Sequence, residues 1–346
     1  MRYIGNKKNL LEFIYSVVEE NNIPISTFCD IFAGTNSVAK FFKSKGFEII
    51  ANDIMTYAYA FSRAYICNNK VPSFEGLSPE IDDPDLFKVI NFLNNIKSEK
   101  GFIYENYCAE GTSEKEFQRN YLSAKNAEKI DAVRNKIQRW FEEKKITENE
   151  FYILLCSLLE VVPSVSNISG TYGAFLKIND PRMFKPLLLE VPTLIKNNGK
   201  NECYNKDANE LIRKIKTCVL YLDPPYNQRQ YATNYHLLES IAVWDKKIMN
   251  NKTGLRPYED KKSYYCYIGK CIKAFEDLIG NADCRFILMS YNNEGIIPYE
   301  EIMRILSEKG KVKVYNQEYR RYKSNSNGDN SKKPIKELLF FVEVKC

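Results

Sequence analysis

Thr27-Phe28-Cys29-Asp30-Ile31-Phe32-Ala33-Gly34-Thr35-Asn36-Ser37 leads through Gly46 into Glu48-Ile49-Ile50-Ala51-Asn52-Asp53-Ile54, and the order of elements in this stretch decides the fold. Thr27 to Ala33 reads as a buried strand that ends at Gly34. Ser37 to Lys45 has the spacing of a helix and stops at Gly46. Glu48 to Ile54 reads as a second strand closing in Asn52-Asp53. A strand, a glycine turn, a helix and a second strand ending in an acid are the opening of a doubly wound α/β sheet. Just upstream, Leu10, Leu11, Ile14, Val17 and Val18 recur at helical spacing.

Working outward, the alternating pattern breaks near residue 67 and resumes near 201. The segment between is charged and mostly helical around 110–150, then loop-like from Pro163 to Pro192. It predicts a mainly helical domain over 67–200, inserted into a sheet domain built from 1–66 and 201–346. In the last part, Cys218 to Leu222, Phe286 to Tyr291, Val312 to Tyr319 and Leu338 to Val344 read as strands. Arg320 to Lys336 is rich in Ser, Asn and Gly and reads as a basic loop.

Composition narrows the class. The 346 residues are 44% hydrophobic and 27% charged, the balance of a soluble globular protein, and no apolar run reaches the length of a membrane span. Ten scattered cysteines without C-x-x-C spacing, one histidine and a polar start predict a reducing, cytoplasmic setting and no metal site. The net charge of +6 is modest, but nine basic and four acidic residues lie between 311 and 345, a concentration that suits phosphate contact. The surplus of 24 Tyr over 2 Trp suits stacking on bases, as it would suit a Tyr-rich genome.

The chemistry is carried by Tyr221-Leu222-Asp223-Pro224-Pro225-Tyr226. Two prolines cannot continue a central strand, and they hold the chain extended just past its end, where open parallel sheets place their ligands. Asp223 then offers a carboxylate and Pro224 a carbonyl, two acceptors aimed into a cleft, while Tyr226 offers a flat ring. An aryl amine would satisfy both acceptors. Its lone pair is delocalised, and donating both N–H groups localises that pair and stabilises the positive charge that develops on attack. Such a reaction needs orientation and exclusion of water rather than a metal or a covalent nucleophile. No cysteine follows a proline, which argues against thiol-based chemistry on a cytosine ring, and His236 reads as a packing or hydrogen-bonding residue at a helix start. Asp30, at the end of the first strand, is placed for an ammonium group, Gly34 for close approach of a ligand to the backbone, and Asp53 for ribose hydroxyls.

An ordered series of motifs resembles the Dam-type N6-adenine DNA methyltransferases. Tyr3-Ile4-Gly5-Asn6-Lys7 looks like the family's N-terminal aromatic-x-Gly-x-Lys motif, and Phe32-Ala33-Gly34 is similar to its cofactor loop, with Asn36 where a second glycine is common. Asp53 matches the ribose-binding acid, Lys206-Asp207-Ala208 the short segment before the catalytic strand, and Asp223 to Tyr226 the catalytic motif. Ser166-Asn167 through Lys177 resembles the Asn/Gly-rich part of the recognition region, and Arg320-Arg321 through Glu337-Leu338-Leu339 the basic loop before the last strand. Asn227 to Tyr231 and Asn234 to Glu239 look like the modification methylases of restriction systems.

The resemblance implies a mostly parallel seven-stranded methyltransferase sheet with an antiparallel last strand. It implies S-adenosylmethionine as cofactor, touched by Tyr3, Lys7, Asp30, Phe32, Gly34, Asp53, Asp207 and Asp223, and an adenine flipped out of double-stranded DNA onto Asp223, Pro224, Pro225 and Tyr226. Arg320, Arg321, Lys323, Lys332 and Lys333 would hold phosphates, and a cognate restriction endonuclease would act separately. Methylation of RNA or of the cytosine amine, a silent DNA-binding protein of the same fold, and a nicotinamide-dependent oxidoreductase are the competing readings. Asp at 223, the intact motif and the poor glycine fingerprint respectively weigh against them.

Overall fold

The computed structural model describes residues 6–319 and 335–345, which pack into two compact units. One comprises 6–54, 197–230 and the described part of 261–346; the other comprises 55–196 and 231–260.

The first unit is an α/β sheet of seven strands: β1 Thr27–Asp30, β2 Glu48–Asn52, β3 Glu202–Tyr204, β4 Lys216–Leu222, β5 Asp283–Asn292, β6 Gly310–Tyr319 and β7 Ile335–Val344. Their order across the sheet is β3-β2-β1-β4-β5-β7-β6. The pairs β1·β2, β1·β4, β2·β3 and β4·β5 run parallel, and both pairs made by β7 run antiparallel. The central strands are buried on both faces, which is why they read as unbroken apolar runs: Phe28 and Cys29 in β1, Val219 to Leu222 in β4, Phe286 to Met289 in β5. Between β1 and β4 the strand order reverses, and the crevice at their carboxyl ends is where such sheets take ligands.

The first strand is shorter than its apolar run. Its ladder ends at Asp30 rather than Ala33, because the chain is already turning: the Ala33 amide donates to the Asn52 carbonyl at 2.8 Å. Gly34 (φ +50°) and Asn36 (φ +60°) both adopt the left-handed conformation, which glycine takes freely and asparagine tolerates. Asn36 thereby serves where a second glycine is common, and the helix Ser37–Ser44 starts from it. The second strand likewise ends at Asn52 rather than Ile54. Asn52 is buried, and its side chain donates to the carbonyls of Ile31 and Lys206 (both 3.1 Å) and accepts from the Lys206 amide (3.1 Å). It thus ties the loops after β1 and β3 together beside Asp53. β3, one exposed and two half-exposed residues at the sheet edge, has no signal in the sequence.

The second unit is helical, with helices Thr56–Tyr65, Leu86–Asn95, Phe102–Tyr107, Ala124–Glu142, Glu148–Val161 and His236–Val243. Thr147 and Glu150 form a reciprocal capping box at the start of Glu148–Val161. Buried Glu239 accepts the Thr56 and Tyr57 amides, each at 3.0 Å, and so caps Thr56–Tyr65 from the neighbouring helix. The Pro163–Pro192 stretch contains only two short 3-10 turns. It is pinned by Asn167, whose amide donates to the carbonyls of Asn120 and Leu176. Fully buried His236 opens its helix with Nε2 2.8 Å from the Tyr172 carbonyl, and burial lowers its pKa to about 4. No helix among the described residues is long and apolar enough to cross a membrane.

Candidate active site

β4 delivers Leu222 to the carboxyl edge of the sheet, and the two prolines carry the chain on in extended form. Asp223 stands here with 15% of its side chain exposed. The Tyr226 hydroxyl donates to Asp223 Oδ1, and Lys7 Nζ lies 3.4 Å from the same oxygen. The other carboxylate oxygen, Oδ2, and the carbonyl of Pro224 take no hydrogen bond from any described residue. Burial raises the Asp223 pKa, the Lys7 ammonium lowers it, Glu337 raises it and the Tyr226 hydroxyl lowers it; the carboxyl comes to rest at about 6. Tyr226 packs edge-on against Tyr291, ring centroids 5.3 Å apart, and its carbonyl accepts the Ile296 amide.

Lys7 is buried, donates to the Tyr226 hydroxyl and to Glu337 Oε1, and lies 4.7 Å from the centre of the Tyr226 ring. Burial works against its charge, but Asp223 and Glu337 outweigh burial and hold its pKa above the ordinary lysine range. The structure therefore brings Lys7, Asp223 and Tyr226 into one cluster, and adds Glu337, to which the sequence reading gave no role of its own. The missing signal is long-range: Glu337 sits at the start of a strand, where a charged residue looks like surface.

The strand-end acids lie along the same edge. Asp53 Oδ2 accepts the Gly34 amide at 2.9 Å, locking the turn after β1 to the end of β2. Asp30 is buried and its Oδ1 has no hydrogen-bond partner among the described residues. Burial pushes its pKa well above the usual carboxylate range, and the nearby charges of Asp223 and Asp53 push it further. A buried orphan oxygen beside two other acids is costly as it stands and suits a cationic ligand group. Phe32 is half-buried, edge-on to Tyr265 at 5.0 Å. Asp207 caps the short helix Ala208–Leu211 by accepting the amides of Asn209 (2.8 Å) and Glu210 (3.2 Å), so it has a structural task of its own. Tyr3, Arg320, Arg321, Lys323, Lys332 and Lys333 lie outside the described residues. Among the described residues no group of three or more His, Cys, Asp or Glu is arranged to hold a metal ion.

The family described as "D12 class N6 adenine-specific DNA methyltransferase" matches residues 3–305. The chain is 40% identical over 350 residues to the Type II methyltransferase M.FokI of Planomicrobium okeanokoites, covering 99% of this chain and 52% of the relative. It is 40% identical over 351 residues to the modification methylase StsI of Streptococcus sanguinis, again 52% of that protein, so it spans about half the length of these two relatives. With the Type II methyltransferase M.NlaIII of Neisseria lactamica it shares 39% identity over 336 residues, 96% of each chain.

Proposed function

The chain belongs to the D12 class of N6 adenine-specific DNA methyltransferases, and on that premise we propose that it moves a methyl group from S-adenosylmethionine to the N6 amine of an adenine flipped out of double-stranded DNA. The observation that carries the reading is the pair of acceptors that no described residue occupies, Asp223 Oδ2 and the Pro224 carbonyl, on consecutive residues at the end of the central strand. They match the two hydrogens of an exocyclic amine. Pro225 fixes the backbone between the acceptors and Tyr226, whose ring is the platform for the base.

When bound, the cofactor supplies an activated methyl group as a sulfonium. Asp30 Oδ1 fits the ammonium of its amino-acid part, Asp53 the ribose hydroxyls, and the Gly34 backbone the close approach of the ligand. Phe32, Asp207, Lys7 and Tyr3 complete this set by their match to the family's motifs. With both N–H groups held, the adenine nitrogen would be oriented, lone pair forward, towards the methyl group that the cofactor would supply. Asp223 and the Pro224 carbonyl would stabilise the positive charge that develops on that nitrogen, and its extra proton would then pass to solvent.

The helical segment 67–200 is the target-recognition part in this reading, and Arg320, Arg321, Lys323, Lys332 and Lys333 are phosphate contacts. Tyr319 pairs with Ile335, so the chain leaves β6 and enters β7 at the edge of the sheet that carries Asp223. The relatives' names, Type II methyltransferase and modification methylase, support a modification role; a restriction endonuclease acting separately and a cytoplasmic setting belong to the same reading. The test is methyl transfer from labelled S-adenosylmethionine to unmethylated genomic DNA, followed by nucleoside chromatography. Label in N6-methyladenine that vanishes with Asp223→Ala is the expected result; label in methylcytosine or in RNA alone overturns it.

A further inference from the structure

Glu337 begins the ladder of β7 opposite Asn292 of β5. Because β7 is antiparallel, its first residues, not its last, reach the edge where β4 and β5 end. Alternation sets Glu337 on one face with Leu339 and Phe341, both core residues, and its side chain is only 9% exposed. A carboxylate so placed needs a partner. It has one in Lys7 Nζ, which also reaches the Tyr226 hydroxyl and lies 3.4 Å from Asp223 Oδ1. One buried cation therefore stands between two acids. Among the described residues, the other ionisable groups facing Asp223 are Tyr226 from its own loop, Tyr221 from β4 and Asp30 from β1, none of them a cation.

We propose that Glu337 is a positioning residue for the transfer: it seats the Lys7 ammonium against Asp223, and the shared cation sets the charge with which Asp223 meets the amine. Asp223 alone could attract Lys7, but would then lose it whenever a ligand drew the lysine away. Glu337, fixed in a strand, gives the ammonium a second carboxylate beside Asp223. The role of the ionised Asp223 rests on the methyl-transfer reading above; the placement of the three groups does not.

The test titrates Asp223 directly by carboxyl 13C NMR, assigned with Asp223→Asn, alongside the pH dependence of kcat/KM. In Glu337→Gln the amide oxygen still accepts from Lys7, so the lysine stays while one negative charge goes. The Asp223 titration should fall below its starting point by about one unit, read as about tenfold higher relative kcat/KM on the acid side. In Lys7→Met it should rise by a unit or more, and adding Glu337→Gln to Lys7→Met should bring it back down. A Glu337 that merely packs would produce neither downward movement, and an unmoved titration in both backgrounds overturns the proposal. Circular dichroism checks folding; if Lys7→Met does not fold, Glu337→Gln alone decides by the direction of its shift. Coupling seen by NMR in a protein that transfers no methyl group would refute the functional reading and leave this one standing. Transfer without coupling would do the reverse.

Discussion

Replacing Tyr226 by Phe keeps the flat ring and removes the hydroxyl that donates to Asp223 Oδ1. A hydrogen bond to a charged group contributes about 1.5–3 kcal/mol, and 1.36 kcal/mol corresponds to one pKa unit, so the bond holds the carboxyl down by roughly one to two units. Part of this is recovered, because Lys7 also spends a hydrogen bond on that hydroxyl and is freed to approach Asp223. The expected net effect is a rise of about one unit from the native value of about 6. The ionised carboxylate is the acceptor form, so activity is lost as pH falls through the pKa. The proper observable is kcat/KM for DNA, which reports the ionisations of the free enzyme. At pH 6 the native carboxyl is about half ionised and that of the variant about a tenth, a roughly fivefold deficit that closes by pH 8.5. A variant whose acid limb superimposes on the native one, or moves to lower pH, would refute the reasoning.

Asp30 carries a raised pKa and an orphan oxygen. Binding of S-adenosylmethionine should expel its proton, so affinity should increase with pH by up to about tenfold per unit; calorimetry in buffers of differing ionisation heat measures this, and Asp30→Asn should remove the linkage and weaken binding about 10- to 100-fold. His236 titrates near 4 in the folded chain against about 6.5 unfolded, so below 6.5 the unfolded state takes up a proton that the folded state refuses. Its contribution is complete above 6.5 and declines as pH falls towards 4, about 2 kcal/mol by pH 5; urea unfolding at pH 5 and 8 should show this loss, and His236→Asn should abolish that part of it. Glu239→Ala removes the acceptor of two helix-start amides and should cost about 2 kcal/mol in urea unfolding, with Glu239→Gln recovering part of the loss.

Much of the sheet was legible because buried parallel strands write themselves as apolar runs. Cys218 to Leu222 and Phe286 to Tyr291 fall inside β4 and β5 for that reason. Boundaries were less legible. The apolar run from Thr27 continues to Ala33, but a hydrogen bond between Ala33 and Asn52, residues in different segments, turns the chain away sooner. β3 is too short and too exposed for any period to show. At the site, Asp223 and Tyr226 announce themselves by the prolines between them. Their ionic surroundings do not, because a salt bridge between Lys7 and Glu337 has no local spacing to betray it. Lys7 was reached through a motif and would otherwise have read as one of many surface lysines.

The same pair has a consequence for the order in which the molecule is made. Lys7 and Glu337 are 330 positions apart, and at about 5–20 residues per second a ribosome needs on the order of tens of seconds to pass from one to the other. Over about the last third of that interval, once Asp223 has been made, a nascent chain can hold Lys7 and Asp223 but not the second acid, and their charges then balance one to one. The finished molecule instead sets one cation against two anions. Synthesis of β7, which also slots between β5 and β6, is therefore the step that converts a neutral pair into the charged cluster.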